Sequence, residues 1–267
     1  MINETSLDTV CASLAYAMGI DAPQYSAPAN KRLCGYIDER LGERRADRVF
    51  MYNPDAVAQW IYEKYPQLCM EAKKHSDIEV ELCTVMPSVT PVCFGTMYTG
   101  AQPEIHGIRK YEKPVITLDS IFDALIRSGK RPAIVAETKS SMANIYLNRD
   151  MDYFIYDTIE EVNAKAAELI MSDEYDFIAV YNGNYDAKMH RYGPEGVEAL
   201  AELRANIEAF SVFSVLIERF WKKHNTLVGF AMDHGCHEID GNLGSHGLDM
   251  EEDLNIAHLY RVYPACE

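Results

Sequence analysis

Phe177-Ile178-Ala179-Val180-Tyr181, followed after four residues by Asp186-Ala187-Lys188-Met189-His190, decides the fold of this chain. An apolar run of this length, without the alternation of a half-wetted strand, marks a strand covered on both faces. Such strands belong to parallel sheets packed between helices. Working outward, the same alternation of strand and helix recurs. Toward the N-terminus, Val49-Phe50-Met51-Tyr52 reads as a strand, and Asn53-Pro54 as an N-cap with proline in the first helical position, leading a helix to about Tyr65. Residues 78–85 read as a strand, 91–98 as a helix stopped by Gly100, and 118–126 as a helix stopped near Gly129. Strands follow at 133–136 and 153–156, with a helix over 159–171. Toward the C-terminus, residues 195–221 predict a long helix whose apolar face is Leu200, Leu203, Ile207, Phe210, Phe213, Ile217 and Phe220. Residues 227–232 form the last clear strand. The expectation is one α/β domain over residues 1–267, a mostly parallel central sheet with helices on both faces, and residues 1–47 as a helical N-terminal layer. Ligands in such sheets bind beyond the carboxyl ends of the strands.

Composition narrows the function classes. A formal net charge of -16 excludes nucleic acid as a main partner, because phosphate backbones need a basic footprint. No apolar run approaches the roughly 18 residues that span a bilayer, and Met1-Ile2-Asn3-Glu4-Thr5 lacks the layout of a signal peptide, so no membrane role and a cytoplasmic location are expected. The seven cysteines are scattered, odd in number and free of any CxxC pair, and they read as reduced thiols. Such an acidic protein suits an anionic substrate only if bound cations supply local positive charge. Oligomeric state is not legible.

Three polar groups follow strands directly. The first is Pro87-Ser88-Val89-Thr90-Pro91, where an isolated Thr-Pro reads first as a helix cap, but where amides and the helix dipole could also hold an anion against the hydroxyl. The second is Asp186 and His190, four apart and therefore able to face one cation from a single helical turn. Alone, that pair reads as a solvated turn. The third is Met232-Asp233-His234-Gly235, followed by Gly244-Ser245-His246-Gly247; two His-Gly turns within 15 residues are harder to dismiss as polar loop.

Taken together these groups resemble the nucleotide pyrophosphatase/phosphodiesterase branch of the alkaline phosphatase superfamily. The resemblance rests on Thr90 nine residues before Thr99-Gly100, on Pro103-Glu104-Ile105-His106-Gly107-Ile108, on Asp186 to His190 with Arg191-Tyr192-Gly193-Pro194, and on Asp233-His234-Gly235 with Gly244-Ser245-His246-Gly247. It covers residues 49–262, with the motifs in the family's order. It implies an alkaline-phosphatase-like three-layer sandwich and a two-metal hydrolase of phosphodiester or nucleotide pyrophosphate bonds in small phosphorylated substrates. By position, Asp186, His190 and His246 would bind one ion; Asp233, His234 and Asp55 would bind the other, which would also contact Thr90, the nucleophile that forms a phosphothreonine. Mixed Asp and His ligands suit zinc, with manganese as the other option, and two such ions about 4 Å apart would flank the attacking and departing oxygens. The chain departs from the family in three ways. Asn53-Pro54-Asp55 replaces an Asp-Gly, so Asn53 stands as an alternative ligand to Asp55. Cys93 stands where an asparagine contacts phosphate, which leaves phosphomonoesterase or phosphomutase chemistry open. A homologue that binds metal or phosphate without turnover is the reading from another class. Only 11 residues separate His234 from His246, leaving little room for a specificity insertion. His106 is expected to be structural, and His75, His237 and His258 are expected to play no part in the chemistry.

Overall fold

In the computed structural model, residues 1–266 are described. The strands are β1 (Arg48–Pro54), β2 (Ile78–Cys83), β3 (Pro132–Glu137), β4 (Asp152–Tyr156), β5 (Phe177–Asn182), β6 (Thr226–Phe230), β7 (His237–Ile239), β8 (Leu243–Ser245) and β9 (Asn255–Tyr263). Seven of them form one sheet in the order β2-β9-β6-β1-β5-β3-β4, and β7 and β8 form a separate hairpin. Five neighbouring strands, β6-β1-β5-β3-β4, are parallel; β9 runs antiparallel to both β6 and β2. The sequence thus predicts the α/β class and the mostly parallel sheet as found.

The buried run at β5 is explained by what covers it. Phe177 and Tyr181 lie edge-on to Tyr98 and Phe94 of the helix Thr90–Thr99. On the other face of neighbouring β1, Phe50 and Tyr52 pack on Phe210 and Phe213 of the helix Val197–Phe220. Helices therefore cover both faces of the sheet. Each such fully buried ring contributes roughly 1.5–3 kcal/mol, and the two layers pin the central strands from opposite sides. The N-terminal helices Thr9–Met18 and Lys31–Leu41 form the helical layer expected of residues 1–47. No helix among the described residues is long and apolar enough to cross a membrane, and all seven cysteines are free thiols.

Two expectations are corrected. Asn53-Pro54 does not start a helix: it prolongs β1, pairing with Tyr181 and Asn182 of β5, and the helix begins only at Gln59. Proline is tolerated there because pairing of β1 with β6 has already ended at Tyr52, so no ladder bond needs its missing N–H on that side. The second correction is β9, nine residues inserted between β2 and β6 after the strand that the sequence made the last one. Its burial is near-continuous although His258 and Arg261 interrupt the apolar pattern.

Candidate metal centre

The seven predicted metal-site residues, Asn53 apart, each follow a strand in the chain. Asp55 follows β1 directly, Asp233 and His234 lie three and four residues past β6, and Thr90 opens the helix that follows β2. Asp186 and His190 sit on the helix Asn184–Tyr192 after β5, one turn apart, and His246 comes one residue after β8. The topology brings Asp55, Asp233 and His234 into one group and Asp186, His190 and His246 into a second.

The first group is sealed in the core. His234 Nε2 is 3.3 Å from Asp55 Oδ1 and 3.3 Å from Asp233 Oδ2. Thr90 Oγ1 stands 3.2 Å from the same Nε2, and its hydroxyl donates to Asp55 at 3.2–3.3 Å. Asp55 also accepts from the Tyr181 hydroxyl, and Asp233 Oδ1 accepts from the Ala56 amide at 3.1 Å. Tyr181 went unnoticed in the sequence because it reads there only as part of the apolar run.

The second group is wetter. Asp186 Oδ1 lies 3.2 Å from His190 Nε2 and 3.5 Å from His246 Nε2, and the two imidazole nitrogens are 3.2 Å apart. The His246 ring bridges the two groups, its centroid 4.1 Å from that of His234 and 4.9 Å from that of His190.

Three observations bear on whether these residues fit divalent ions. First, each of the three histidines spends its Nδ1–H on a backbone carbonyl: His190 on Gly244 at 3.0 Å, His234 on Gly235 at 2.9 Å and His246 on Ser88 at 2.9 Å. That outer contact fixes the tautomer and turns the Nε2 lone pair inward. Second, the donor spacings of 3.2–3.5 Å match the edges of a tetrahedron with bonds of about 2.0–2.1 Å, which are about 3.3 Å long. Third, Asp233 Oδ2 is buried and has no hydrogen-bond donor, an arrangement that is costly unless a cation meets it.

The electrostatics agree. Burial, then the charge of Asp186, raises the Asp55 carboxyl above the usual range, and burial followed by the charge of Asp55 raises Asp233 well above it. Asp186 is also buried, yet contacts with His190 and His246 hold it below the usual carboxylate range. In return Asp186 pushes the His190 imidazolium up to about 9, so a divalent ion at this position competes with a proton.

The remaining candidates fall outside the two groups. Asn53 is committed elsewhere: its amide donates to Met51 and Val180 carbonyls at 3.1 and 2.9 Å and its oxygen accepts from Tyr98 at 2.9 Å. Cys93 is fully buried, its sulfur 3.2 Å from the Thr84 hydroxyl oxygen, and burial pushes its thiol up. It presents no group to a phosphate oxygen. Nor do the amides after Thr90 form the expected cradle, since Pro91 has no N–H and those of Val92 and Cys93 both donate to the Val89 carbonyl at 3.0 Å. His106 accepts from the Ile108 amide through Nδ1 and meets Thr96 through Nε2, the opposite tautomer to the three inward-facing rings, as suits a structural residue. A Cβ on Gly95 would lie 2.8 Å from that ring, so Gly95 makes the room for it.

No protein-family model and no curated protein sequence matches this chain. Solved structures do. Murine ectonucleotide pyrophosphatase/phosphodiesterase 5 superposes with a TM-score of 0.59 over 73% of this chain and 58% of its own, at 17% identity. An inactive threonine-to-alanine variant of it, in complex with AMP, gives the same score and identity over 59% of its length. The chain thus spans less than two thirds of these solved relatives, and the likeness establishes the fold.

Proposed function

We propose that this chain is a two-metal phosphoric ester hydrolase that cleaves phosphodiester or nucleotide pyrophosphate bonds, with Thr90 as its nucleophile. The observation that carries the reading is the pair of three-residue donor groups at tetrahedral spacing, with the Thr90 hydroxyl 3.2–3.3 Å from two donors of the buried one. The fold shared with the murine phosphodiesterase supports it, as does the AMP held by that protein's inactive threonine variant; we assign the corresponding role to Thr90.

Asp55, Asp233 and His234 would hold one ion and Asp186, His190 and His246 the other, zinc being the best match to mixed carboxylate and imidazole donors, with manganese next. Two divalent ions there would lower the pKa of the Thr90 hydroxyl and offset phosphoryl charge. Their four positive charges exceed the three carboxylates by one, which reconciles a chain of net charge -16 with an anionic substrate. Thr90 Oγ1 then bonds to phosphorus as the bond to the leaving oxygen breaks, and that oxygen takes up a proton as it departs. Water next attacks the phosphothreonine, freeing Thr90 and releasing a monoester from a diester substrate.

Phosphomonoester hydrolysis is the second reading, favoured by the enclosure of Cys93, which leaves no side chain at that position to orient a diester phosphate. Rates with bis-p-nitrophenyl phosphate and p-nitrophenyl phosphate separate the two. Faster turnover of the diester is expected, and a clear preference for the monoester would replace the first reading by the second. No turnover of either by zinc-loaded protein would favour the non-catalytic binding homologue.

A further inference from the structure

The segments that carry His234 and His246 run into the two strands of the hairpin, where His237 of β7 pairs with Ser245 of β8, and the two rings lie 4.1 Å apart, tilted by 31°. A second tie beside the ladder is Asp253, a fully buried acid in the short helix Glu251–Leu254, outside both donor groups. Its side chain has two acceptor oxygens and both are used. Oδ1 accepts from His237 Nδ1 at 2.7 Å, and Oδ2 accepts from the Leu248 amide at 2.8 Å. Its own carbonyl accepts from the Gly235 amide at 2.8 Å. Gly235 is the residue after His234, and Leu248 is two residues after His246.

The packing around these bonds is close. A Cβ on Gly235 would lie 2.0 Å from the Glu252 carbonyl oxygen, so the loop after β6 is pressed onto the helix that bears Asp253, and only glycine fits there. Thr84 reinforces the joint, donating its hydroxyl to the Asp233 carbonyl at 2.6 Å and its amide to the Leu254 carbonyl at 2.8 Å. A buried carboxylate is expensive unless its oxygens are met by donors. Here the donors come from the hairpin, at His237, and from the loop behind His246, at Leu248.

We propose that Asp253 is a positioning residue that fixes the spacing between the two halves of the metal centre, and that His237 acts with it although it binds no ion. The inference rests on the two-metal reading above. The backbone bond to Gly235 does not depend on the side chain, whereas the bond to Leu248 does. Loss of the carboxylate should therefore loosen His246 more than His234, and weaken the ion held by Asp186, His190 and His246 first. Outer partners of metal-binding histidines commonly change affinity by 10- to 100-fold.

The test is zinc affinity, measured by competition with a chromophoric chelator, for the wild type, Asp253→Ala and Asp253→Asn, together with thermal melting of each protein with and without zinc. Alanine removes both acceptors, while asparagine keeps one oxygen. Zinc affinity at one of the two sites should fall about tenfold or more in D253A and by less in D253N, and the zinc-induced rise in Tm should shrink by more than the Tm of the metal-free protein changes. A uniformly structural role would lower the metal-free Tm and leave both zinc affinities as in the wild type. Wild-type affinities in folded D253A overturn the inference, and if D253A does not fold, wild-type affinities in D253N overturn it. A wild-type protein that binds no zinc would instead overturn the two-metal reading itself.

Discussion

The two halves of the candidate metal centre are built from the same residue types on different supports. Asp55, Asp233 and His234 are all buried, set directly beyond β1 and β6 in the middle of the parallel sheet. Asp186 and His246 are partly buried and His190 is exposed, on a surface helix and the end of a two-stranded hairpin. The sealed half is rigid because the core fixes its backbone, but it crowds acids without water. The wetter half pays less to hold its charges, and it depends on contacts such as Asp186 with His190 to hold its shape. Thr90 belongs to the sealed half, which places the hydroxyl proposed as nucleophile beside Asp55 and His234.

The largest effect that would break this contrast concerns Thr90. Thr90→Ala should lower kcat by about 10^4-fold or more while zinc content stays at two per chain; loss of zinc as well would make Thr90 a structural part of the sealed half. Next come the paired carboxylate variants. Asp55→Asn and Asp186→Asn should each cost one ion, with affinity lowered by more than about 100-fold, since even outer partners account for 10- to 100-fold. Titration with zinc would then show one equivalent in each, and two equivalents in Asp55→Asn would contradict the ligand assignment. In wild-type protein, a chelator should strip the half around His190 before the sealed half, which timed metal analysis would show.

A smaller effect separates Asp55 from its neighbour. Asn53→Ala removes three buried hydrogen bonds and should cost about 2 kcal/mol or more of stability, read from denaturant unfolding, without changing zinc stoichiometry. The smallest is pH-dependent. His190 is raised from 6.5 to about 9, so its contact with Asp186 stabilises metal-free protein fully below about pH 6.5 and is lost as pH rises through about 9. Asp55 and Asp233 have raised values, so their contribution is likewise present at low pH and lost as pH rises. Both signs agree: the zinc-induced increase in Tm should grow between pH 6 and pH 8.5. The His190 part is worth less than about 1 kcal/mol because the ring is half-exposed. A constant increase across that range would contradict the linkage.

Much of this was legible in the residues, for reasons that also explain what was not. The runs at β1 and β5 are readable because strands covered on both faces have no polar face to interrupt them. The candidate ligand types of both halves show as Asp and His after strands. Asn53-Pro54 is ambiguous in sequence because a cap followed by proline has the same letters as a strand continuing past its last ladder bond. In β9, His258 and Arg261 break the apolar pattern, although Ile256, Ala257, Leu259, Tyr260 and Val262 carry a readable strand signal. Asp55 is the sequence's first choice over Asn53, and the fold adds that Asn53 is bonded to Tyr98 and to Val180 of β5. The roles of Tyr181 and Asp253 likewise depend on partners more than 100 residues away or in separate loops, and no local pattern marks them.

An anomalous-scattering map from zinc-soaked crystals tests the central claim most directly. Two peaks are predicted, one about 2.0–2.2 Å from Asp55, Asp233 and His234 and the other at the same range from Asp186, His190 and His246. A single peak, or density coordinated by Asn53 in place of Asp55, would contradict the account.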